Sequence, residues 1–275
     1  MSAAHSSRTP HHPRKRFGQH FLSDPRILAR IADALQLAPH ESVVEIGPGT
    51  GTLTEKLRSR AGRVVAVELD RDLAAGLRTR FAGAPEVTIV EGDALEQPLG
   101  ALGGAGFALA GNIPYYITTP IIFHALERPR FSRAVFLVQR EVADRITAAA
   151  GAPEYGALSA NVQAVARAER LFAVPAGAFH PPPRVESAVI RLTPLAQPLV
   201  PPEREAPFRR LVIDAFGARR KQMRRVVRDR FGVSAADADD LLARAGIPPE
   251  DRPERVSPAQ FAALDGLTLG LALER

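Results

Sequence analysis

The stretch GNIPYYITTP, residues 111–120, places polar and aromatic side chains directly after an apolar run. Proline lacks a backbone donor and fixes φ, so Pro114 is expected to end the strand that begins near Phe107. Asn112 then lies in extended backbone at the carboxyl end of that strand. In an α/β sheet, ligands bind at this end of the strands, which makes Asn112 the first candidate for ligand handling.

A second signal is the glycine run VEIGPGTG, which puts Gly47, Gly49 and Gly51 directly after an earlier apolar stretch. Glycines at alternate positions allow a sharp turn and a close approach of the backbone to a ligand. The dinucleotide fingerprint would require glycine where Thr52 stands, which disfavours a pyrophosphate loop. A tight turn without a ligand remains an alternative interpretation.

Two acids end the next two apolar stretches, Glu68 in VELD and Asp93 in EGD. A carboxylate at the first position can accept both hydroxyls of a ribose, and one at the second can accept an adenine amino group. Each acid alone could instead be a favourable charge at a helix N-terminus. Together with the glycine run, they indicate an adenosine-containing cofactor without a bound pyrophosphate, and S-adenosylmethionine is the leading candidate.

Short β-branched segments alternate with helical patterns along most of the chain, which predicts an α/β fold with a mostly parallel sheet covered on both faces. Strands are predicted at 42–47, 63–69, 87–92, 107–112, 134–139 and 185–192. Helices are predicted after the first, second and fourth strands, the last with Thr118 or Thr119 as its N-cap and Pro120 at an early helical position.

A proline-rich linker at 193–205 separates this pattern from a helical region with segments at 208–231, 235–246 and 257–273. We predict a basic mobile tail at 1–16, a catalytic domain at 17–196 and a small helical domain at 197–275. Residues 203–230 carry ten basic side chains against four acidic ones. That density suits nucleic-acid phosphates, although a solvated helical face is the alternative.

Composition removes several classes of function. The chain has no cysteine, which excludes disulfides, thiolate catalysis and cysteine-ligated zinc. No apolar run is long enough for a membrane span, and the first residues are polar and basic, so a cytoplasmic location is the default expectation. The histidines have no second ligand at metal-binding spacing, so no metal site is expected.

The motifs RKRFGQHFL, VVEIGPGTGTLTEKL, AVELDRDL, EGDAL, GNIPYYITTP, LVQREVADRI, FHPPPRVESAVIRL and ARRKQMRR resemble, in order and spacing, the ribosomal RNA adenine N6-dimethyltransferases, most closely the bacterial small-subunit type. The resemblance implies a Rossmann-like class I methyltransferase sheet with a small C-terminal helical domain, and S-adenosylmethionine as cofactor. The implied cofactor-binding residues are Gln19, His20, Leu22, Gly47, Gly49, Glu68, Leu69, Asp93, Ala94 and Asn112. His20 and Tyr116 depart from the family, which commonly has asparagine at both positions.

The resemblance also implies how the target amine is handled. The side-chain oxygen of Asn112 and a backbone carbonyl near Ile113 or Pro114 accept the two N–H groups, so that the lone pair faces the methyl donor. Tyr115 stacks on the base, and Phe179 is the candidate for the opposite face, although ordinary core packing is equally open for it. The implied RNA-binding residues are Arg219, Arg220, Lys221 and Arg224.

The expected function is methyl transfer to N6 of adenines in small-subunit ribosomal RNA, two methyl groups per adenine and two adjacent adenines, by a monomer acting on RNA or a small ribosomal subunit. One alternative is the large-subunit adenine methyltransferase of the antibiotic-resistance type. Others are a ribosome-assembly or RNA-binding factor with secondary methylation and, from the fold alone, a nicotinamide-dependent oxidoreductase. The segments RRKQMRR and PERVSPAQF favour the small-subunit enzyme.

Overall fold

The computed structural model describes residues 20–218 and 220–268. The predicted tail at 1–16, Gln19 and Arg219 therefore lie outside the described residues. The strands are β1 Phe21–Leu22, β2 Ser42–Ile46, β3 Arg63–Glu68, β4 Val87–Glu91, β5 Ala108–Asn112, β6 Arg133–Gln139, β7 Ala166–Val174, β8 Phe179–His180 and β9 Ser187–Pro194. The helices are α1 Pro25–Ala34, α2 Thr52–Arg58, α3 Arg71–Arg80, α4 Leu99–Gly103, α5 Thr118–Ala125, α6 Arg140–Thr147, α7 Ala157–Gln163, α8 Glu205–Gly217, α9 Met223–Phe231, α10 Ala235–Arg244 and α11 Pro258–Leu267.

Seven strands form one mixed sheet in the order β4-β3-β2-β5-β6-β9-β7. Neighbours from β4 to β6 are parallel, whereas β9 pairs antiparallel with both β6 and β7. The α/β fold class and the mostly parallel sheet are thereby confirmed, and all six predicted strands are present. The prediction missed β7, because three of its first five residues are charged and its apolar run is confined to the last four, 171–174.

The parallel register brings the carboxyl ends of four strands to one edge of the sheet. Ile46 of β2 pairs with Val67 and with Gly111, and Glu68 pairs with Glu91. Gly111 has to be small, since a Cβ there would lie 2.8 Å from the carbonyl oxygen of Ile46. The loops that follow these strands therefore begin side by side.

A short strap, the segment 20–24, crosses this edge before α1. Its strand β1 pairs antiparallel with β8, with Leu22 opposite Phe179. Helix α1 begins at Pro25, and Asp24 caps it by accepting hydrogen bonds from the backbone N–H groups of Arg26 and Ile27 at 2.8 and 3.1 Å. The cap fixes where the strap ends and the helix begins.

Helix α5 begins at Thr118, with Ile117 as its N-cap and no side-chain capping bond, so the predicted threonine cap is wrong. The Thr118 hydroxyl instead donates to the carbonyl oxygen of Pro114 at 3.2 Å. A threonine hydroxyl reaching back by four residues satisfies a carbonyl within the preceding turn and is then not free to cap. Pro120 does lie in the first turn, as predicted.

The helical region differs from its prediction in one respect. The pattern at 208–231 is two helices, because the chain leaves α8 after Gly217 and restarts at Met223, whose N–H donates to the carbonyl of Asp251 at 2.7 Å. The proline-rich linker is held to the sheet domain by backbone bonds from Leu195 and Leu199 to the segment before β7. Among the described residues, no helix combines the length and apolarity needed to span a membrane.

The C-terminal helices and the sheet share one apolar cluster. Tyr155, before α7, is fully buried, and its hydroxyl donates to the carbonyl of Val256 at 2.9 Å. Its ring meets Phe216 of α8 edge-on, and Phe216 in turn packs against Phe261 of α11. The helical region therefore packs against the segment before α7 through a buried aromatic contact.

Candidate active site

The turn after β2 is shaped by glycines and by Glu68. Gly47 and Gly49 have φ of 67° and 58°, in the left-handed region that favours glycine. The Gly49 N–H donates to one carboxylate oxygen of Glu68 at 3.0 Å, and the Asp70 N–H donates to the other at 2.9 Å. A Cβ on Gly49 would lie 2.9 Å from the ring of Phe21 in the strap, so glycine is also required by packing.

The Glu68 side chain is buried, with 6% of its surface exposed. Burial raises the pKa of this carboxyl, and the two backbone hydrogen bonds act in the opposite direction. Each oxygen accepts a bond from a backbone N–H group, and a carboxylate has about four acceptor sites in all. The geometry therefore leaves Glu68 able to accept a hydroxyl donor from a ligand.

Asp93 follows β4 at the same edge. One of its oxygens accepts a hydrogen bond from the N–H of Leu95 at 2.9 Å, which holds the side chain in place. Ala94 beside it is buried, whereas Leu69, next to Glu68, is 46% exposed. An acid acceptor beside an exposed apolar side chain is the chemistry that suits a purine with an exocyclic amine.

The sequence prediction did not assign a role to Glu45, which lies on β2 and lines one cavity together with Glu68 and Asp93. Its side chain is 1% exposed and accepts a hydrogen bond from the Thr54 hydroxyl at 2.6 Å. Burial, with a smaller contribution from the nearby charge of Glu68, raises the pKa of Glu45 to about 8, against the lowering effect of the Thr54 hydrogen bond. The signal available in the sequence was an acid inside an otherwise apolar strand.

Asn112 ends β5 with a fixed orientation. Its Nδ2 donates to the carbonyl oxygen of His20 at 3.0 Å. A carbonyl oxygen only accepts, so the amide nitrogen must face His20 and the amide oxygen must face away from it. The contact is to the backbone of the strap, so it does not depend on which side chain stands at position 20.

The two carbonyls considered beside Asn112 differ in what they already bind. The carbonyl of Pro114 accepts bonds from the Ile117 N–H at 3.1 Å and from the Thr118 hydroxyl at 3.2 Å. Both lone pairs of that oxygen are therefore engaged within its own turn. The geometry favours the carbonyl of Ile113 as the second acceptor.

Tyr115 is held from two sides. Its hydroxyl shares a hydrogen bond of 2.7 Å with the hydroxyl of Ser187 on β9, and its ring stacks on the imidazole of His20 with centroids 5.9 Å apart. His20 is itself anchored, because its Nδ1 lies 2.8 Å from the carbonyl oxygen of Pro181. The structure thus gives His20 contacts that sequence reasoning did not anticipate.

Phe179 lies apart from this group. Its ring is 4% exposed and belongs to the apolar cluster that includes Leu22 and Val189. It is not among the residues that line the cavity, so this arrangement shows it as core, and its proposed place over a base stays a prediction.

One cavity brings the other described candidates together. Its walls come from the strap, the carboxyl ends of β2 to β5 and the turn that precedes α5. The predicted residues that line it are His20, Leu22, Gly47, Gly49, Glu68, Leu69, Asp93, Ala94, Asn112, Ile113, Pro114 and Tyr115. The candidates for cofactor and amine binding thus share a single space.

Of the predicted RNA-binding residues that the structure describes, Arg220 and Lys221 lie between α8 and α9 and Arg224 lies in α9, and all three are exposed. Lys221 pairs with Asp229 at 3.0 Å, and Arg224 pairs with Asp239 at 2.5 Å. Exposed ion pairs are weak, so these basic side chains can leave their acidic partners and bind a phosphate instead. None of the three lines the cavity described above.

Comparisons with known proteins identify close relatives. The family model for ribosomal RNA adenine dimethylase matches residues 10–264. The ribosomal RNA small subunit methyltransferase A of Acinetobacter baylyi is 42% identical over 267 residues, which cover 96% of this chain and 95% of that protein. Its counterpart in Aromatoleum aromaticum is 44% identical over 256 residues, covering 92% and 93%.

Two solved structures resemble the whole fold. The 23S rRNA methyltransferase ErmE superposes with a TM-score of 0.70 at 30% identity, covering 90% of this chain and 98% of that one. A dimethyladenosine transferase from Plasmodium falciparum superposes with a TM-score of 0.75 at 26% identity, covering 89% and 96%. The similarity thus extends through the sheet and the C-terminal helices.

Proposed function

Because the chain belongs to the ribosomal RNA adenine dimethylase family, we propose that it transfers methyl groups from S-adenosylmethionine to N6 of adenines in small-subunit ribosomal RNA. The observation that carries the proposal is the orientation of Asn112. Its amide nitrogen is engaged by the strap, which leaves its oxygen as an acceptor inside a cavity that also holds Glu68 and Asp93.

The residues in the cavity fit the cofactor. Glu68 offers acceptors for the ribose hydroxyls, Asp93 offers one for the adenine amine, and Leu69 offers an apolar surface for the ring. Gly47 and Gly49, in their left-handed conformations, let the backbone approach without a Cβ in the way. When bound, S-adenosylmethionine supplies an electrophilic methyl group on a sulfonium centre.

The amine of adenine is a poor nucleophile because its lone pair is delocalised into the ring. Asn112 Oδ1 and the carbonyl of Ile113 each accept one N–H, which favours the pyramidal nitrogen of the transition state over the planar ground state. Ile113 is rigid, because its own N–H donates to Leu137 at 3.1 Å and its side chain is buried. Preorganised acceptors need no rearrangement at the moment of transfer.

Tyr115 supports the base that is presented to these acceptors. A base must leave its stack to be modified, and an aromatic side chain replaces part of the stacking it loses. The bond to Ser187 and the stack on His20 hold the Tyr115 ring in one orientation before RNA arrives. The first transfer replaces one N–H by a methyl group and releases that proton, so the amine enters a second transfer with one N–H and needs only one of the two acceptors.

The small subunit is favoured over the large one by the degree of similarity. The relatives that act on small-subunit RNA are 42–44% identical over more than nine tenths of the chain, whereas the 23S enzyme is 30% identical. Within the proposal, the enzyme works as a cytoplasmic monomer, the region 197–275 forms the helical domain that contacts RNA or the subunit, and two adjacent adenines each receive two methyl groups.

Methyl transfer from labelled S-adenosylmethionine to unmodified small ribosomal subunits tests the proposal, with large subunits and bare RNA in parallel. Digestion of the products to nucleosides should give N6,N6-dimethyladenosine from the small-subunit RNA. Label in large subunits alone would favour the large-subunit activity. Cofactor binding without transfer to any of the three would favour an assembly factor instead.

A further inference from the structure

Tyr115 and Tyr116 are adjacent in sequence but face different partners. The turn Tyr115–Ile117 is one short 3₁₀ segment, and Tyr115 is directed to Ser187 on β9. Tyr116 lines the cavity together with Glu68 and Asp93. Burial raises the pKa of the Tyr116 phenol, and the charges of Asp93 and Glu68 raise it further, as expected for a hydroxyl near both carboxylates.

The exposure of Tyr116 is unusual for its place. Of the described residues that line the cavity, two have exposed side chains, Leu69 at 46% and Tyr116 at 56%. Both are large and largely apolar, and Leu69 directly follows the acid assigned to the ribose. Exposed apolar side chains at the rim of a cavity gain free energy when a ligand covers them.

The order of the strands sets the distance between Tyr116 and Asp93 along the edge of the sheet. It follows β5, whereas Asp93 follows β4, and β2 and β3 lie between those strands. Three strand spacings amount to about 14 Å, which is the scale of a nucleoside with its substituent. Tyr116 lines the same cavity as Asp93, so its side chain borders the space between the end of β5 and the carboxylates that follow β3 and β4.

We propose that Tyr116 is a cofactor-binding residue, whose ring covers the adenosine end of S-adenosylmethionine opposite Leu69. The inference rests on the cofactor assigned above and adds a residue to that site. Tyr116 in this role does not participate in the transfer. It lowers the rate at which cofactor and its demethylated product leave.

Direct binding measurements test this role without relying on turnover. Equilibrium dialysis with S-adenosylmethionine and with S-adenosylhomocysteine compares the wild type with Tyr116→Ala, Tyr116→Phe and Ile213→Ala. Loss of the ring should weaken both ligands about tenfold, the scale expected for one aromatic contact. Tyr116→Phe should stay close to wild type, and Ile213→Ala, an exposed apolar residue on α8 outside the cavity, is the matched control.

A second readout uses the spectroscopic background of the chain. The sequence has no tryptophan and three tyrosines, so its aromatic emission comes from tyrosine. Binding of S-adenosylhomocysteine should change this emission in the wild type, and most of the change should disappear in Tyr116→Phe. The phenylalanine ring of that variant still covers the ligand, so its affinity should be retained. A lost emission change at retained affinity would show that Tyr116 contacts the ligand and that the variant is folded.

The outcomes are separable. Tyr116→Ala binding both ligands within twofold of wild type would overturn the inference while leaving the cofactor assignment intact. A raised KM for small subunits at unchanged cofactor affinity would also overturn it, and would place Tyr116 against RNA. Failure of the wild type to bind either ligand would overturn the cofactor assignment and this inference together.

Discussion

At the scale of single residues, the site depends on which lone pairs remain available. The amide nitrogen of Asn112 donates to the His20 carbonyl in the strap, so its amide oxygen faces the other way. The Pro114 carbonyl is occupied by its own turn, whereas Ile113 offers its carbonyl next to Asn112. The proposed pair of acceptors follows from this count of hydrogen bonds.

Asn112→Ala should retain the fold and lose most turnover. Removing one acceptor aimed at a transition state costs about 3 kcal/mol in comparable sites, or about a hundredfold in kcat. Single-turnover methyl transfer with saturating cofactor measures the effect, and a thermal melt confirms that the variant is folded. A rate within threefold of wild type would contradict the proposed role.

Glu45 predicts a pH dependence of stability. A folded pKa of about 8 against an ordinary value of 4.5 means that the folded chain binds more protons between those values. The free energy of unfolding should therefore fall as pH rises through this window. Glu45→Gln, which keeps an acceptor for Thr54, should flatten the fall of the melting temperature across it.

The control for that measurement is Glu154→Gln, a change at an exposed acid. Its melting temperature should follow the wild-type pH curve. Equal slopes in wild type and Glu45→Gln would show that the buried carboxyl does not set the dependence.

At the scale of elements, the strap connects distant parts of the chain at the site. It pairs with β8, offers the His20 carbonyl to Asn112 and places the His20 ring on Tyr115. The predicted contact of His20 with the cofactor stays a prediction, and the structure adds contacts from His20 to Asn112 and Tyr115. The Asp24 cap of α1 determines where this strap ends.

Asp24→Ala should therefore destabilise the protein by about 1 kcal/mol, the usual effect of removing an N-cap acceptor. Asp24→Asn should be nearly neutral, because asparagine caps as well as aspartate. Melting temperatures of the two variants give the comparison. Equal losses in both would point to the charge of Asp24 rather than its capping bonds.

At the scale of the whole molecule, the helical region packs against the part of the chain that contains the sheet. Besides the contact of Tyr155 with Val256, Glu205 at the start of α8 accepts hydrogen bonds from Arg128 and Arg130, before β6, at 3.0 and 2.5 Å. Paired contacts of this kind fix geometry as well as adding energy. Basic side chains on the helical region therefore have a defined position relative to the cavity.

Replacing Arg220, Lys221 and Arg224 by Ala should weaken substrate binding and leave cofactor affinity intact. Each lost phosphate contact should lower the slope of log affinity against log salt by about 1. Filter binding over a salt series measures it, with Arg244→Ala and Arg255→Ala on the same helical region as a control. Unchanged RNA affinity in the triple variant would contradict the proposal that these three side chains bind RNA phosphates.

The sequence by itself determined the α/β fold, six strands and the placement of glycines, acids and Asn112 at their carboxyl ends, because local patterns of apolar residues, glycines and prolines specify these features. It did not reveal β7, whose first five residues include three charged side chains, or the break between α8 and α9. The orientation of Asn112, the choice of the Ile113 carbonyl, the stack of His20 on Tyr115 and the raised pKa of Glu45 were decided by tertiary structure. Each depends on a hydrogen-bond partner or on burial supplied by a distant part of the chain, which local sequence does not encode.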